Sequence, residues 1–290
     1  MKWLSTRRAL ALMIAPAFAV YSLYFAYPIG YSLYQSFTNA QAFGSTKLVG
    51  GKNYVQMVRD TLFWGSLRNT GIILLVSLVI LLPGAFFLAH LLSGRVKGAG
   101  ALRAMIFAPN VIAPILIGLI WVFILDPHIG LVNSLLHTLG VQHPPVWIGG
   151  TTLSPWSIGV VYTWQTVGFI MTIFYAGIRM LPHDVMEAAS LDGATGWQRL
   201  RYVTVPMLQE TFGITTVLVV TGVFKIFELV FQLTGGGPVH LSETLVSYTY
   251  WMTFSNQKYG YGMALAVVIS LLGVVVTVAQ MAFMRRRRAS

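Results

Sequence analysis

The sequence predicts an all-α, polytopic membrane protein with six transmembrane helices. Three observations carry that reading. Apolar residues make up 56% of the chain and charged residues only 9%, against roughly a quarter charged in soluble globular domains. The apolar residues gather in runs long enough to cross a hydrocarbon core of about 30 Å as helices. Those runs lack the alternation of a membrane β-barrel, and a helix satisfies its own backbone inside a bilayer.

The runs place spans at about residues 10–36, 70–93, 102–125, 156–180, 211–234 and 260–284. The first begins as a secretory signal would, with "MKWLSTRR" and an A-x-A-like "AFA". Its apolar stretch runs on to Phe37, too long for a signal, and it is read as a span. Before span two, "NYVQMVRDTLFWGSLRNT" has apolar residues at mixed helical spacing and fits a helix along the membrane surface. Pro28, Pro83, Pro109 and Pro114 fall within or beside spans and should kink or break them.

An even number of spans puts both termini on one side. Lys2, Arg7 and Arg8, then Arg95, Lys97 and Arg103, then Arg179, Arg199 and Arg201, and finally Arg285 to Arg288 mark that side as cytoplasmic. The opposite segments, residues 38–69, 126–155 and 235–259, carry only Lys47, Lys52, Arg59, Arg68 and Lys258. Topology therefore accounts for the net charge of +11 without nucleic acid, whose binding needs one basic face.

Catalytic chemistry finds no footing. Cysteine is absent, which excludes disulfides and thiolate metal sites. Histidines 90, 128, 137, 143, 183 and 240 show no ligand spacing, so no metal is expected, and His90 reads as a packed helix residue. The carboxylates are scattered. "GGKN" at residues 50–53 lacks the length and hydroxyl of a phosphate loop, so the chain is expected to be neither an enzyme nor the holder of a cofactor.

The segment between spans four and five is the polar exception. Pro182 suits a first helical turn, with Asp184 and Glu187 near the positive end of a helix over residues 182–191. Asp192 and Gly193 signal a turn, and Thr195 can cap a second helix running through Trp197, Leu200 and Val203 toward Pro206. Ala188, Ala189 and Ser190 are small enough to let another surface approach. A solvated connection and a docking loop fit these residues equally.

Within it, "EAASLDGATGWQRLRYVTVP" resembles the EAA signature of ABC importer permeases, matched at Glu187, Ala188, Ala189, Asp192, Gly193, Ala194 and Pro206. Val205 departs from the leucine usual before the proline. The resemblance covers about residues 9–283 and implies a type I ABC importer permease fold. Residues 1–65 would form an N-terminal helix and outer segment, 66–284 the permease core with its loop at 181–208, and 285–290 a basic cytoplasmic tail. It further implies partners: a second homologous permease in a heterodimer, two ATP-binding subunits that hold ATP and Mg, and an extracytoplasmic solute-binding protein. The loop would enter a groove on the ATPase, and the setting would be a bacterial or archaeal inner membrane.

A second stretch, residues 224–270, is similar to the carbohydrate-uptake, maltose-type subfamily through Thr234, Gly235, Gly236, Gly237, Pro238, Tyr248, Tyr250, Phe254, Gly260 and Tyr261. That implies a sugar or oligosaccharide, with glycerol phosphate or a polyol as the neighbouring alternative. Lys225 and Glu228 stand at i,i+3 in span five, the lysine roughly 21 Å from Thr211 at about 1.5 Å per residue. A lone lysine there costs about 2.5 to 3.5 kcal/mol, so it needs a partner or a wet cavity. The two form either a structural ion pair or, with Trp164 and Gln165 of span four, part of a sugar path. Trp147, Trp156, Tyr259 and Tyr261 read as interfacial aromatics. An ion-coupled secondary carrier would need membrane carboxylates or inverted repeats, and only Glu228 speaks for it; no internal repeat is found. A scaffold without a path would leave Lys225 and Glu228 dry.

Overall fold

A computed structural model describes residues 7–94, 96–150 and 152–289, with residues 7–10 and 283–289 as backbone only. Lys2, Arg95 and the side chains of Arg7, Arg8 and Arg285 to Arg288 lie outside that description. Two compact units divide the chain, Met1–Asp60 with Thr249–Leu271, and Thr61–Tyr248 with Leu272–Ser290. They do not coincide with a division at residue 65. Among the described residues there are helices and one isolated bridge, Thr38 to Leu48, and no strand.

In the first unit, α1 (Ala11–Gln35) is a membrane-length helix and α2 (Lys52–Arg59) a short amphipathic one. Asn53 of α2 is buried and donates to the carbonyls of Ser36 and Thr38, both at 2.8 Å, which ties α2 to the end of α1. Ser36 Oγ lies 2.7 Å from the Tyr54 hydroxyl. Tyr261 is 3% exposed and donates to Asp60 at 2.5 Å, so it is a buried anchor and not the interfacial aromatic its sequence position suggests.

In the second unit, span two is α3 (Thr61–Ser93), nine residues longer at its start than expected. The polar residues Ser66, Asn69 and Thr70 in these first turns are buried. Ser66 and Thr70 bond back to the carbonyls of Phe63 and Ser66 at 2.8 Å. Extended backbone at Asp60 ends α2, so the expected single surface helix is instead α2 plus the first turns of α3.

Span three breaks into α4 (Ala99–Val111) and α5 (Pro114–Ile124), bent by 98°. Pro114 forces Ala113 into extended backbone, ψ 135°, and then starts the next helix. Pro28, Pro83 and Pro206 act more gently. Each follows a five-residue π-helical turn, Ser22–Ala26, Ser77–Leu81 and Leu200–Thr204. The residue before each proline donates five back, Tyr27 to Ser22, Leu82 to Ser77 and Val205 to Leu200, so the wider register absorbs the missing N–H.

Beyond a short α6 (Leu131–Thr138), α7 (Ser154–Arg179) is span four and the centre of this unit, packed on α3 and α4. Gly168 makes the second approach possible: a Cβ there would stand 2.6 Å from Phe107 Cα. Close backbone contact of this kind is how helices associate without a hydrophobic drive between them. Ile158, Val161, Ile170, Met171 and Phe174 fill the two apolar cores along α7. Trp147 is half-buried and donates to Asn133 of α6 at 2.7 Å.

After α7 come α8 (His183–Leu191) and α9 (Gly196–Met207), then α10 (Gln209–Phe224), bent 68° from α9. Span five does not run on to residue 234. It stops at Phe224 and resumes as α11 (Glu228–Leu233), which packs on α5. Two further helices follow, α12 (Leu245–Tyr250) and α13 (Tyr259–Ala289). The described helices give four membrane-length spans, or six when each bent pair counts as one.

Candidate functional site

The loop between spans four and five is a helix-turn-helix built by its own sequence. Helix α8 starts at His183, with Pro182 as its N-cap instead of a first-turn residue and Asp184 in the first turn. Glu187 lies beyond that turn and meets His183 Nδ1 at 3.1 Å, both side chains exposed. The helix ends in a double carbonyl cap: Ala194 N–H donates to Ala189 and Gly193 N–H to Ser190, at 3.0 and 3.2 Å. That closure needs a left-handed residue, and Gly193 supplies it with φ +77°. A Cβ at Gly193 would meet nothing within 4 Å, so conformation and not space requires the glycine.

Thr195 then caps α9 in reciprocal fashion, its N–H donating to Gln198 Oε1 at 2.7 Å and its hydroxyl accepting from Gln198 N–H at 3.4 Å. Arg199 reaches back to Ser190 Oγ at 2.9 Å and ties the two helices together. Among the loop's exposed residues are large apolar ones: Met180, just before the loop, and Leu191 and Trp197 within it are 83%, 88% and 68% exposed. Pro206 stands at the end of α9, after the π turn, and Leu208 behind it is buried.

The residues expected along a path separate into different surroundings. Gln165 is 6% exposed, and its Nε2 donates to the Ile112 carbonyl at 3.1 Å, the group freed where α4 breaks from α5. Its work is structural. Trp164, next in sequence, faces out at 41% exposure with its ring edge-on to Trp121 at 5.5 Å. Lys225 and Glu228 are both exposed. They are not on one helix, because Lys225 (φ −103°, ψ 0°) and Phe227 (φ −134°, ψ −63°) interrupt it. Among the described residues no ion pair joins them, so the structural pair is not formed within this chain. A continuous helix would set Lys225 beside Leu229 on one face; the interruption exposes the charges and buries Ile226, Leu229 and Val230.

The glycine motif forms the turn after α11. Gly235 and Gly236 take φ +56° and +80°, and Pro238 follows a cis peptide. Gly236 lies against the carboxylate of Glu243, where a Cβ would come within 2.5 Å of Cδ. Ser242 Oγ sits 2.9 Å from Thr234 Oγ1 and donates to the Gly237 carbonyl at 2.6 Å. Thr234, Gly235, Gly236, Gly237 and Pro238 are thus a structural turn folded over a buried acid. Glu243 is 3% exposed, with Oε1 3.0 Å from His240 Nδ1 and Oε2 accepting from Ser247. Sequence reasoning missed it. The signal was a histidine and a glutamate three apart directly behind three glycines. Among the described residues no three His, Asp or Glu side chains gather as a metal group.

Comparison with known proteins decides the class. The family model described as "Binding-protein-dependent transport system inner membrane component" matches residues 81–289. The chain belongs to this family. Relatives align nearly end to end. The "Probable ABC transporter permease protein YurN" of Bacillus subtilis (strain 168) is 32% identical over 94% of this chain and 95% of its own. The sn-glycerol-3-phosphate transport system permease protein UgpA of Agrobacterium fabrum is 30% identical over 95% and 94%. The lactose transport system permease protein LacF of Rhizobium radiobacter is 30% identical over 96% and 94%. The fold is that of a chain in the solved bacterial ABC transporter for the acidic polysaccharide alginate, with TM-score 0.84 and 19% identity over 98% of both chains. The chain is therefore a membrane permease with an ABC importer permease fold, a transport subunit of an inner-membrane system.

Proposed function

We propose that this permease forms half of the path by which a sugar or oligosaccharide, delivered by an extracytoplasmic binding protein, crosses the inner membrane. A second, homologous permease forms the other half. Two ATPase subunits, which hold ATP and Mg, drive the cycle from the side that carries α8 and α9, where both termini also lie. The observation that carries the reading is the α8–α9 loop: a fixed helix pair that exposes Leu191 and Trp197. Exposed apolar side chains on a rigid helix pair are what a helix-in-groove contact requires.

The loop is also placed to transmit force. Helix α9 leads from it into α10, and α10 ends at the interruption that exposes Lys225. A shift of the docked loop therefore moves, through α9, the bend at Leu208 and α10, the turn proposed to line the path. Rigid-body movement of this kind couples two distant sites. Trp164 supplies an exposed aromatic face for sugar C–H groups, and Lys225 and Glu228 supply groups for its hydroxyls. The lactose permease relative and the alginate importer support a saccharide. The glycerol phosphate relatives, together with the exposed Lys225 cation, favour a second reading in which the substrate carries a phosphate.

In the reconstituted complex with its ATPase and binding protein, Glu187→Lys with Gly193→Asp is expected to abolish substrate-stimulated ATP hydrolysis or release the ATPase. Unchanged stimulation would rule out coupling through this loop. The same assay over a panel of oligosaccharides and glycerol phosphate decides between the two substrates.

A further inference from the structure

Span five is interrupted where its charges lie, and a hydroxyl from a distant loop holds the interruption. Between α10 and α11 the chain bonds back on itself, Lys225 N–H to the Gly222 carbonyl at 3.1 Å and Ile226 N–H to Val223 at 3.2 Å. The Ile226 carbonyl receives no backbone N–H among the described residues. Thr244 Oγ1 stands 3.2 Å from it. Both residues are buried, at 6% and 1% exposure, so bulk water does not replace that donor. A buried carbonyl left without a donor is destabilising.

Thr244 stands in a small network with Ser247 and Glu243. Ser247 donates its hydroxyl to Glu243 Oε2. Ser247 Oγ in turn accepts the Thr244 N–H at 2.8 Å, while Thr244 Oγ1 lies 3.5 Å from Ser247 N–H as acceptor. Thr244 Oγ1 also lies 3.2 Å from Ser247 Oγ, the same distance as from the Ile226 carbonyl, so its proton is shared between those two acceptors. The loop carrying Thr244 is itself gripped by α3: Asn69 Nδ2 donates to the carbonyls of Leu241 and Glu243, at 2.7 and 2.9 Å. Leu245 N–H donates to Thr70 Oγ1 at 3.1 Å.

We propose that Thr244 is a positioning residue of the transport path. It relays the placement fixed by Asn69 and Thr70 of α3 to the turn at residues 225–227, and so sets where Lys225 and Glu228 stand. The inference rests on reading those two charges as path residues.

The chain has no cysteine, so Lys225→Cys is a unique reporter. In the assembled complex, Thr244→Val removes the donor at nearly constant volume. It is expected to change the rate at which a membrane-impermeant maleimide modifies the cysteine at 225 by about fivefold or more. In the Lys225 background it is expected to raise the KM for uptake about tenfold with Vmax little changed, as small misplacements do. Thr244→Ser is expected to restore both. If Thr244→Val does not assemble, Asn69→Ser loosens the same relay and is expected to shift the same reporter. Equal modification rates and equal KM in the Val and Ser variants would overturn the proposal. A shifted modification rate combined with wild-type KM in Lys225→Ala, Glu228→Ala supports the relay and overturns the path reading instead.

Discussion

Single side chains here act mostly by meeting backbone groups that the fold leaves over. Asp126, in the segment between spans three and four, shows this in its simplest form. Its Oδ1 accepts from the N–H groups of His128 and Ile129, at 2.8 and 3.0 Å. The Ile129 bond first, then the His128 bond, hold the carboxyl below its ordinary range. A lowered value in the folded state means the contribution is complete above the unfolded value of about 3.9 and is lost as pH falls through the folded value. In nanodiscs, the Ile129 amide shift should show an acid transition that begins only below about pH 4. Asp126→Asn, which keeps an acceptor that does not titrate, should abolish that acid transition. An unchanged transition in the variant would assign it to another group. Asp126 was plain in the sequence as a residue, but its two partners depend on a turn that no periodicity shows.

At the scale of elements, long apolar runs were legible and their interruptions were not. Helix α7 falls within two residues of the expected span at each end, because an uninterrupted run of that length has one way to satisfy its backbone. Span two departs because Ser66 and Thr70 bond to their own helix while Asn69 finds a tertiary partner in the Leu241 carbonyl, and span three because Pro114 breaks it. Gln165 and Trp164 show the same limit. Adjacent in sequence and grouped as sugar ligands, they point into different surroundings, and the carbonyl that claims Gln165 exists only because Pro114 breaks span three. Gln165→Leu should therefore cost about 1 to 3 kcal/mol, the penalty of leaving a buried carbonyl unmet. The readout is a lower thermal midpoint of the purified complex. Trp164→Ala, at an exposed position, should leave that midpoint nearly unchanged and alter uptake kinetics. Equal midpoints for both variants would return Gln165 to the list of path residues. The loop at α8 and α9 was legible almost to the residue, since the Asp-Gly turn and the threonine cap are local devices.

At the scale of the molecule, α1 is the element that this chain alone does not explain. No residue in its membrane-length window is buried. An all-lipid environment would suit aliphatic side chains, yet Tyr24, Tyr27, Tyr31 and Tyr34 follow one another at intervals of 3, 4 and 3 residues along one face. That is the spacing by which one helix seats against another. Tyr27 and Tyr31 already stack at 6.1 Å, and Gln35 donates to the Tyr31 hydroxyl at 2.7 Å, so the stripe is ordered before any partner arrives. Within a bilayer, packing and interhelical hydrogen bonds drive association, and the second permease proposed above is the partner this stripe is expected to seat against. At about 0.6 kcal/mol for each interhelical hydrogen bond, removing two hydroxyls weakens pairing by about 1.2 kcal/mol, or roughly sevenfold. Tyr27→Ala with Tyr31→Ala should accordingly lower the amount of second permease that copurifies with a tagged form of this chain. Leu12→Ala with Ile14→Ala, equally exposed but off the stripe, should not. An unchanged ratio in the tyrosine variant would leave the stripe facing lipid and place the subunit contact on another span.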